Sequence, residues 1–121
     1  QQRQALQLLG KILLSREFRE VMITYVRNEQ FLQIHMNLLR DSSMMIQADA
    51  FHVFKAFVGN PYKPRRVQQI LFQNKEKLVQ HLTTFYERSD DAFAAELEAV
   101  IELIQALGAP TRPPRRQMTW A

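Results

Sequence analysis

Apolar residues recur along this chain at separations of three and four, the spacing of one face of an α-helix. In QADAFHVFKAFVGNP, residues 47–61, the residues Ala50, Phe51, Phe54, Phe57 and Val58 fall on one broad face. Gly59 is suited to a left-handed closing residue, and Pro61 blocks an immediate restart. The same reading gives seven helices, over 2–14, 16–27, 29–40, 43–58, 65–73, 75–87 and 90–107. Ser15 is placed to cap the second helix, and Ser42 or Ser43 the fourth. Pro64 fits the first position of the fifth. Ser89-Asp90-Asp91 sets a cap and negative charge where the last helix begins. No stretch alternates cleanly as a strand, so the expected fold class is all-α.

The helices repeat. Shifted back by 45, the residues Phe51, Val53, Phe54, Phe57 and Val58 fall on Leu6, Leu8, Leu9, Ile12 and Leu13. Shifted forward by 46, they fall on Leu97, Ala99, Val100, Leu103 and Ile104. A second series agrees, since Leu32, His35, Met36 and Leu39 shifted by 46 give Leu78, His81, Leu82 and Phe85. A period near 45 residues is that of armadillo or HEAT repeats. The expected architecture is a right-handed helical solenoid with two full repeats and part of a third. In it Leu6, Leu9, Phe51, Phe54, Leu97 and Val100 form one buried ladder. Function in such a fold is recognition on a concave surface, here the helices QFLQIHMNLLR and KEKLVQHLTTFYER. The expected organisation is a repeat domain over 1–108 and a disordered or extended basic, Pro-rich tail over 109–121.

Composition changes this picture little. A chain of 121 residues with 46% hydrophobic and 23% charged residues suits one globular domain. The net charge of +4 divides unevenly. Arg112, Arg115 and Arg116 account for three of the 16 Lys and Arg, leaving 13 against 12 Asp and Glu over 1–108. No basic face for nucleic acid is expected on the body, and phosphate binding through the tail is the alternative. The absence of Cys excludes disulfides and thiolate metal sites and fits a reducing, cytoplasmic setting. No apolar run reaches the roughly 20 residues of a membrane span. With no initiator Met and no signal pattern, the first residue reads as the cut end of a longer chain.

Catalytic chemistry is hard to find. His35, His52 and His81 lack the further converging ligands that a metal requires and read as structural or surface residues. The serines stand at cap positions, no Gly-x-Ser-x-Gly elbow exists, and Gly is too scarce for a phosphate loop. Glu96, Glu98 and Glu102 read as a solvated face, and Met44 and Met45 as filler. No enzyme and no cofactor are expected.

The stretches RQALQLLGKILLSREF, MNLLRD, IQADAFHVFKAFVGNP and ILFQNKEKLVQHLTTF resemble the C-terminal part of the calcium-binding-protein-thirty-nine family, the Mo-twenty-five-like armadillo scaffolds. The resemblance covers about residues 2–86 and fades beyond 88. It implies a non-catalytic scaffold that holds a kinase of the sterile-twenty class, or a related pseudokinase, in a closed conformation. One surface would be a pocket for a Trp-Glu-Phe-type C-terminal peptide, the other a concave face for the kinase. A structural fragment that has lost partner binding is the alternative. No calcium loop is present.

Carried over by position, the resemblance makes Arg3 a pocket arginine that pairs with a carboxylate and Met36 the pocket methionine that packs on an aromatic. Gln33 and Gln73 stand where lysine is usual. Arg16 matches an arginine of the kinase-facing surface; Arg19 stands at its partner aromatic's position, with Phe18 one residue earlier, about 100° away on a helix. Trp120, the only tryptophan, leaves two readings open. It is either an incidental aromatic on a loose end, or it docks near Met36 in its own chain or a neighbour's. The reach of the 13-residue tail, at most ~45 Å, favours the neighbour.

Overall fold

The computed structural model describes residues 19–110 and Trp120. Among these residues it is all-helical: α1 Arg19–Tyr25, α2 Glu29–Leu38, α3 Met44–Gly59, α4 Arg65–Gln73, α5 Lys75–Thr83, a 3-10 turn Thr84–Arg88, and α6 Asp91–Gln105. The expected helix over 2–14, the Ser15 cap and the ladder residues Leu6 and Leu9 lie outside the described residues. The chain divides into two compact units, Gln1–Lys63 and Pro64–Ala121.

In the first unit α2 packs on α3. Local chemistry explains where each begins. Asn28 accepts from the Phe31 N–H through its side chain at 3.0 Å, and Ser43 does the same for Ile46 at 3.3 Å. The face read from the sequence is the core, with Ala50, Phe51, Val53, Phe54, Phe57 and Val58 all buried. The end of α3 differs from expectation. Gly59 is its last helical residue, and no described glycine has a positive φ. Pro61 forces the residue before it out of the helical region, so Asn60 turns extended at φ −69°, ψ 117° and stops the helix without a left-handed residue. The turn is then fastened by the Tyr62 N–H on Asn60 Oδ1 at 3.0 Å and by Lys63 Nζ on the Asn60 carbonyl at 2.8 Å. Burial pushes the Lys63 ammonium below its usual pKa.

In the second unit α5 packs on α4, α6 and the 3-10 turn. Pro64 directly precedes α4, one position before the place the sequence suggested, and its carbonyl accepts from Gln68 at 2.9 Å. The helix expected over 75–87 tightens after Thr83. The Thr83 hydroxyl donates to the Val79 carbonyl and the Thr84 hydroxyl to that of His81, at 2.7 and 2.6 Å, which draws acceptors away from the regular ladder. Asp90 caps α6 by accepting from Phe93 at 2.8 Å, and the Ser89 hydroxyl donates back to Phe85. On α6 only Leu97, Val100 and Ile104 are buried. Ala99 and Leu103, equivalent to Val53 and Phe57 by the repeat, are exposed. This helix packs against α5 and the 3-10 turn, which need only a narrow stripe of it.

Candidate partner-binding surface

Two histidines at one repeat position organise the candidate surfaces. In the first unit Asn28 starts α2, and a turn later Phe31 stacks on Tyr25 with ring centroids 4.3 Å apart. His35 follows at one further turn, and its Nδ1 lies 2.8 Å from the Phe31 carbonyl. A carbonyl only accepts, so Nδ1 carries the proton, and Nε2 is buried without a protein hydrogen-bond partner. The imidazole packs edge-on against Tyr25 at 5.8 Å and lies tilted by 37° against Phe57 at 6.0 Å. Burial holds His35 below the usual imidazole pKa, outweighing the hydrogen bond to Phe31, which favours the charged form. Burial also pushes the Tyr25 phenol up to about 12. Tyr25 and Phe31 open outward onto a cleft of about 370 Å³ that Glu20 and Thr24 complete.

In the second unit His81 is half-buried, edge-on to Phe85 at 5.4 Å and to Trp120 at 5.7 Å. Trp120 is 5% exposed. Its backbone N–H donates to Asn74 Oδ1, and its backbone carbonyl accepts from Lys77 Nζ at 2.9 Å. Asn74 is itself clamped, its Nδ2 donating to the Ile70 carbonyl at 2.8 Å. The reading of Trp120 as an incidental aromatic on a loose end is therefore overturned. The expected preference for docking in a neighbouring chain is corrected as well, because Trp120 contacts Asn74, Lys77 and His81 of its own chain. The physical reason is an anchor. Lys75 Nζ donates to the carbonyls of Gln105 and Leu107, which ties the end of α6 beside the start of α5.

The residues carried over by resemblance are distributed as follows. Arg3, Arg16 and Phe18 lie outside the described residues. Gln33 and Met36 stand three apart on α2 and so share a face, Gln33 half-buried and Met36 fully buried. Gln73 is the last residue of α4 in the second unit, half-buried. Sequence reasoning missed Asn74 and Lys77. Their signal was faint: Asn74 follows a helix as a routine terminal residue would, and Lys77 reads as one more surface charge.

Among the described residues no three His, Cys, Asp or Glu converge as a metal site. Nor is any helix among them long and apolar enough to cross a membrane.

The Mo25-like family matches this chain over residues 1–108. A Mo25-like protein of Schizosaccharomyces pombe is 47% identical over 107 residues, covering 87% of this chain and 32% of the relative. The degreening-related gene dee76 protein of Auxenochlorella protothecoides is 45% identical over 108 residues, 88% of this chain and 34% of the relative. The human calcium-binding protein 39-like is 44% identical over 107 residues, again 87% and 32%. The chain thus spans about a third of the length of these curated relatives. With the family matched across nine-tenths of its residues, and an all-helical armadillo/HEAT-like fold to carry that match, the chain belongs to the Mo25-like family.

Proposed function

We propose that this chain is part of a non-catalytic, cytoplasmic scaffold that binds a protein kinase of the sterile-twenty class or a related pseudokinase. The observation that carries the reading is the match to the Mo25-like family over residues 1–108. Helical repeats bind by presenting successive helices as one surface rather than by a reactive pocket. The repeat domain over 1–108 is the binding part, with residues 109–121 as its appended tail. Arg3, Gln33, Met36 and Gln73 would receive a Trp-Glu-Phe-type C-terminal peptide, while Arg16 and Phe18 would face the kinase. Gln33 and Gln73 offer neutral donors to a carboxylate where lysine would offer charged ones.

Titration of a labelled peptide ending in Trp-Glu-Phe onto the full chain tests the reading. The double substitution Gln33→Lys and Gln73→Lys should tighten binding by ~1–3 kcal/mol, the difference made by a charge-assisted hydrogen bond. The gain should shrink as salt rises. Unchanged affinity on restoring both lysines removes the peptide pocket from the proposal. Failure of the chain to retain any kinase of this class in a pull-down removes the scaffold reading.

A further inference from the structure

Among the described residues Tyr62 is the most exposed large hydrophobic one, at 79%. Its backbone is nonetheless fixed. Pro61 and Pro64 restrict the turn that carries it. Its N–H donates to Asn60 Oδ1 at 3.0 Å, and its carbonyl accepts from Arg27 Nη1 at 3.3 Å. A ring held out into water on a fixed turn has little backbone freedom to lose when it is buried elsewhere, which makes it a preorganised anchor. The Arg27 bond also sets this turn beside the end of α1. The exposed face of that helix carries Glu20, Ile23 and Thr24, with Arg27 just past its end, spaced three and four apart. An acid stands at one end, a base at the other, and an isoleucine 49% exposed between them. Such an order is its own complement. Turned end for end, it sets Glu20 against Arg27, Arg27 against Glu20 and Ile23 against Ile23. Beside it lies the cleft of about 370 Å³, lined by Glu20, Thr24, Tyr25 and Phe31 and large enough for a phenol ring. Its aromatic wall is the stacked pair of Tyr25 and Phe31. The Tyr62 ring of the same chain stands outside it, in water.

We propose that this patch is a self-association surface, on which two copies of the chain pair about a two-fold axis near Ile23, the Tyr62 ring of each entering the Tyr25–Phe31 cleft of the other. Complementarity selects a second copy as the occupant. The cleft has an aromatic wall and one carboxylate, that of Glu20. The anchor is an aromatic ring beside two cations, Arg27 and Lys63. A guanidinium has five N–H donors, so the bond from Arg27 to the Tyr62 carbonyl leaves others for Glu20 of the second copy. Anchor and cleft share one patch, so both insertions form together. The pair then closes on itself and leaves no open end for a fibre. One ring and one short helix face per copy bury less than a permanent dimer requires, so the association is transient. This inference does not rest on the kinase-scaffold reading.

Sedimentation equilibrium of the full chain tests the surface. A monomer–dimer equilibrium should emerge between micromolar and millimolar protein, with no larger species. Tyr62→Ala should weaken dimerisation about thirtyfold, the ratio for loss of an aromatic hot spot. Its melting temperature at low micromolar protein should match that of the unaltered chain, since the ring is in water there. Glu20→Arg and Arg27→Glu should each weaken the dimer by opposing like charges. Both changes in one chain should restore most of it, a rescue that a merely structural role for either residue would not produce. A chain that stays monomeric at millimolar concentration overturns the proposal, as does a dimer of undiminished affinity in Tyr62→Ala. A doubly changed chain no stronger than the single variants refutes the two-fold pairing. Species that grow beyond the dimer refute the closed arrangement.

Discussion

The helices carrying His35 and His81 share one sequence frame and satisfy it in different ways. Around His35 the partners among the described residues come from one unit: the cap from Asn28, the edge-on ring from Tyr25, a second ring from Phe57, the acceptor from the Phe31 carbonyl. Around His81 the ring of Trp120 arrives from the far end of the chain, and the residue equivalent to Phe57, Leu103, turns to solvent at 48% exposure. His35 is packed by rings of its neighbouring helices, and His81 by Phe85 of the following 3-10 turn together with Trp120. Repeats of this kind need only one apolar stripe to stack, so the remaining positions are at liberty to diverge without loss of the fold.

The contrast is broken most severely at Phe57. Phe57→Ala opens a cavity against Tyr25 and His35 and should cost ~3–5 kcal/mol in chemical denaturation. Its repeat equivalent Leu103→Ala should cost under ~1 kcal/mol, since the side chain is half in water already. Equal losses at the two positions would mean that both units are packed alike.

Acid pH sharpens the comparison next. His35 has its pKa lowered by burial, so below about 6.5 the unfolded chain binds a proton that the folded chain refuses. The unfolded state then carries more protons, and stability rises with pH up to about 6.5 and falls as pH drops below it. His35→Gln should flatten that acid limb while lowering stability at neutral pH through the lost packing. An acid limb of undiminished slope in His35→Gln would show that the buried imidazole is not its source.

The smaller effect is at the two asparagines. Asn28→Ala removes the cap of α2 and should cost about 1 kcal/mol in global stability with no change in Trp120 emission. Asn74→Ala removes the acceptor for the Trp120 N–H and should move that emission to the red. Emission that responds to Asn28 would erase the distinction between the two helices.

Helix starts were legible because their causes are local. Ser43 and Asp90 each bond an N–H three residues on, a relation that sequence displays directly. The stop at Gly59 was read at the right place for a partly wrong reason. Glycine is permissive of a left-handed turn, but Pro61 compels its neighbour to extend, and compulsion prevails over permission. The tightening at Thr83 and Thr84 depends on which way two hydroxyls turn, and the alternatives are equally open in the sequence. Of the candidate site residues, Gln33 and Met36 were readable as sharing a helix face from their spacing alone. That Met36 is fully buried was decided by the structure alone, since a core residue and a pocket residue share the same helical spacing.

By itself the sequence determined the helices, the repeat of about 45 residues and the apolar stripe of α3, because periodicity and caps act over a few residues. The tertiary structure alone decided where Trp120 goes. Its partners lie 43 and 46 residues away along the chain, and no local rule relates a tail residue to Lys77 or Asn74. What selects them is the anchoring of α6 to the start of α5. That is a property of packing in space, set by excluded volume and by the few donors and acceptors that the fold brings within reach.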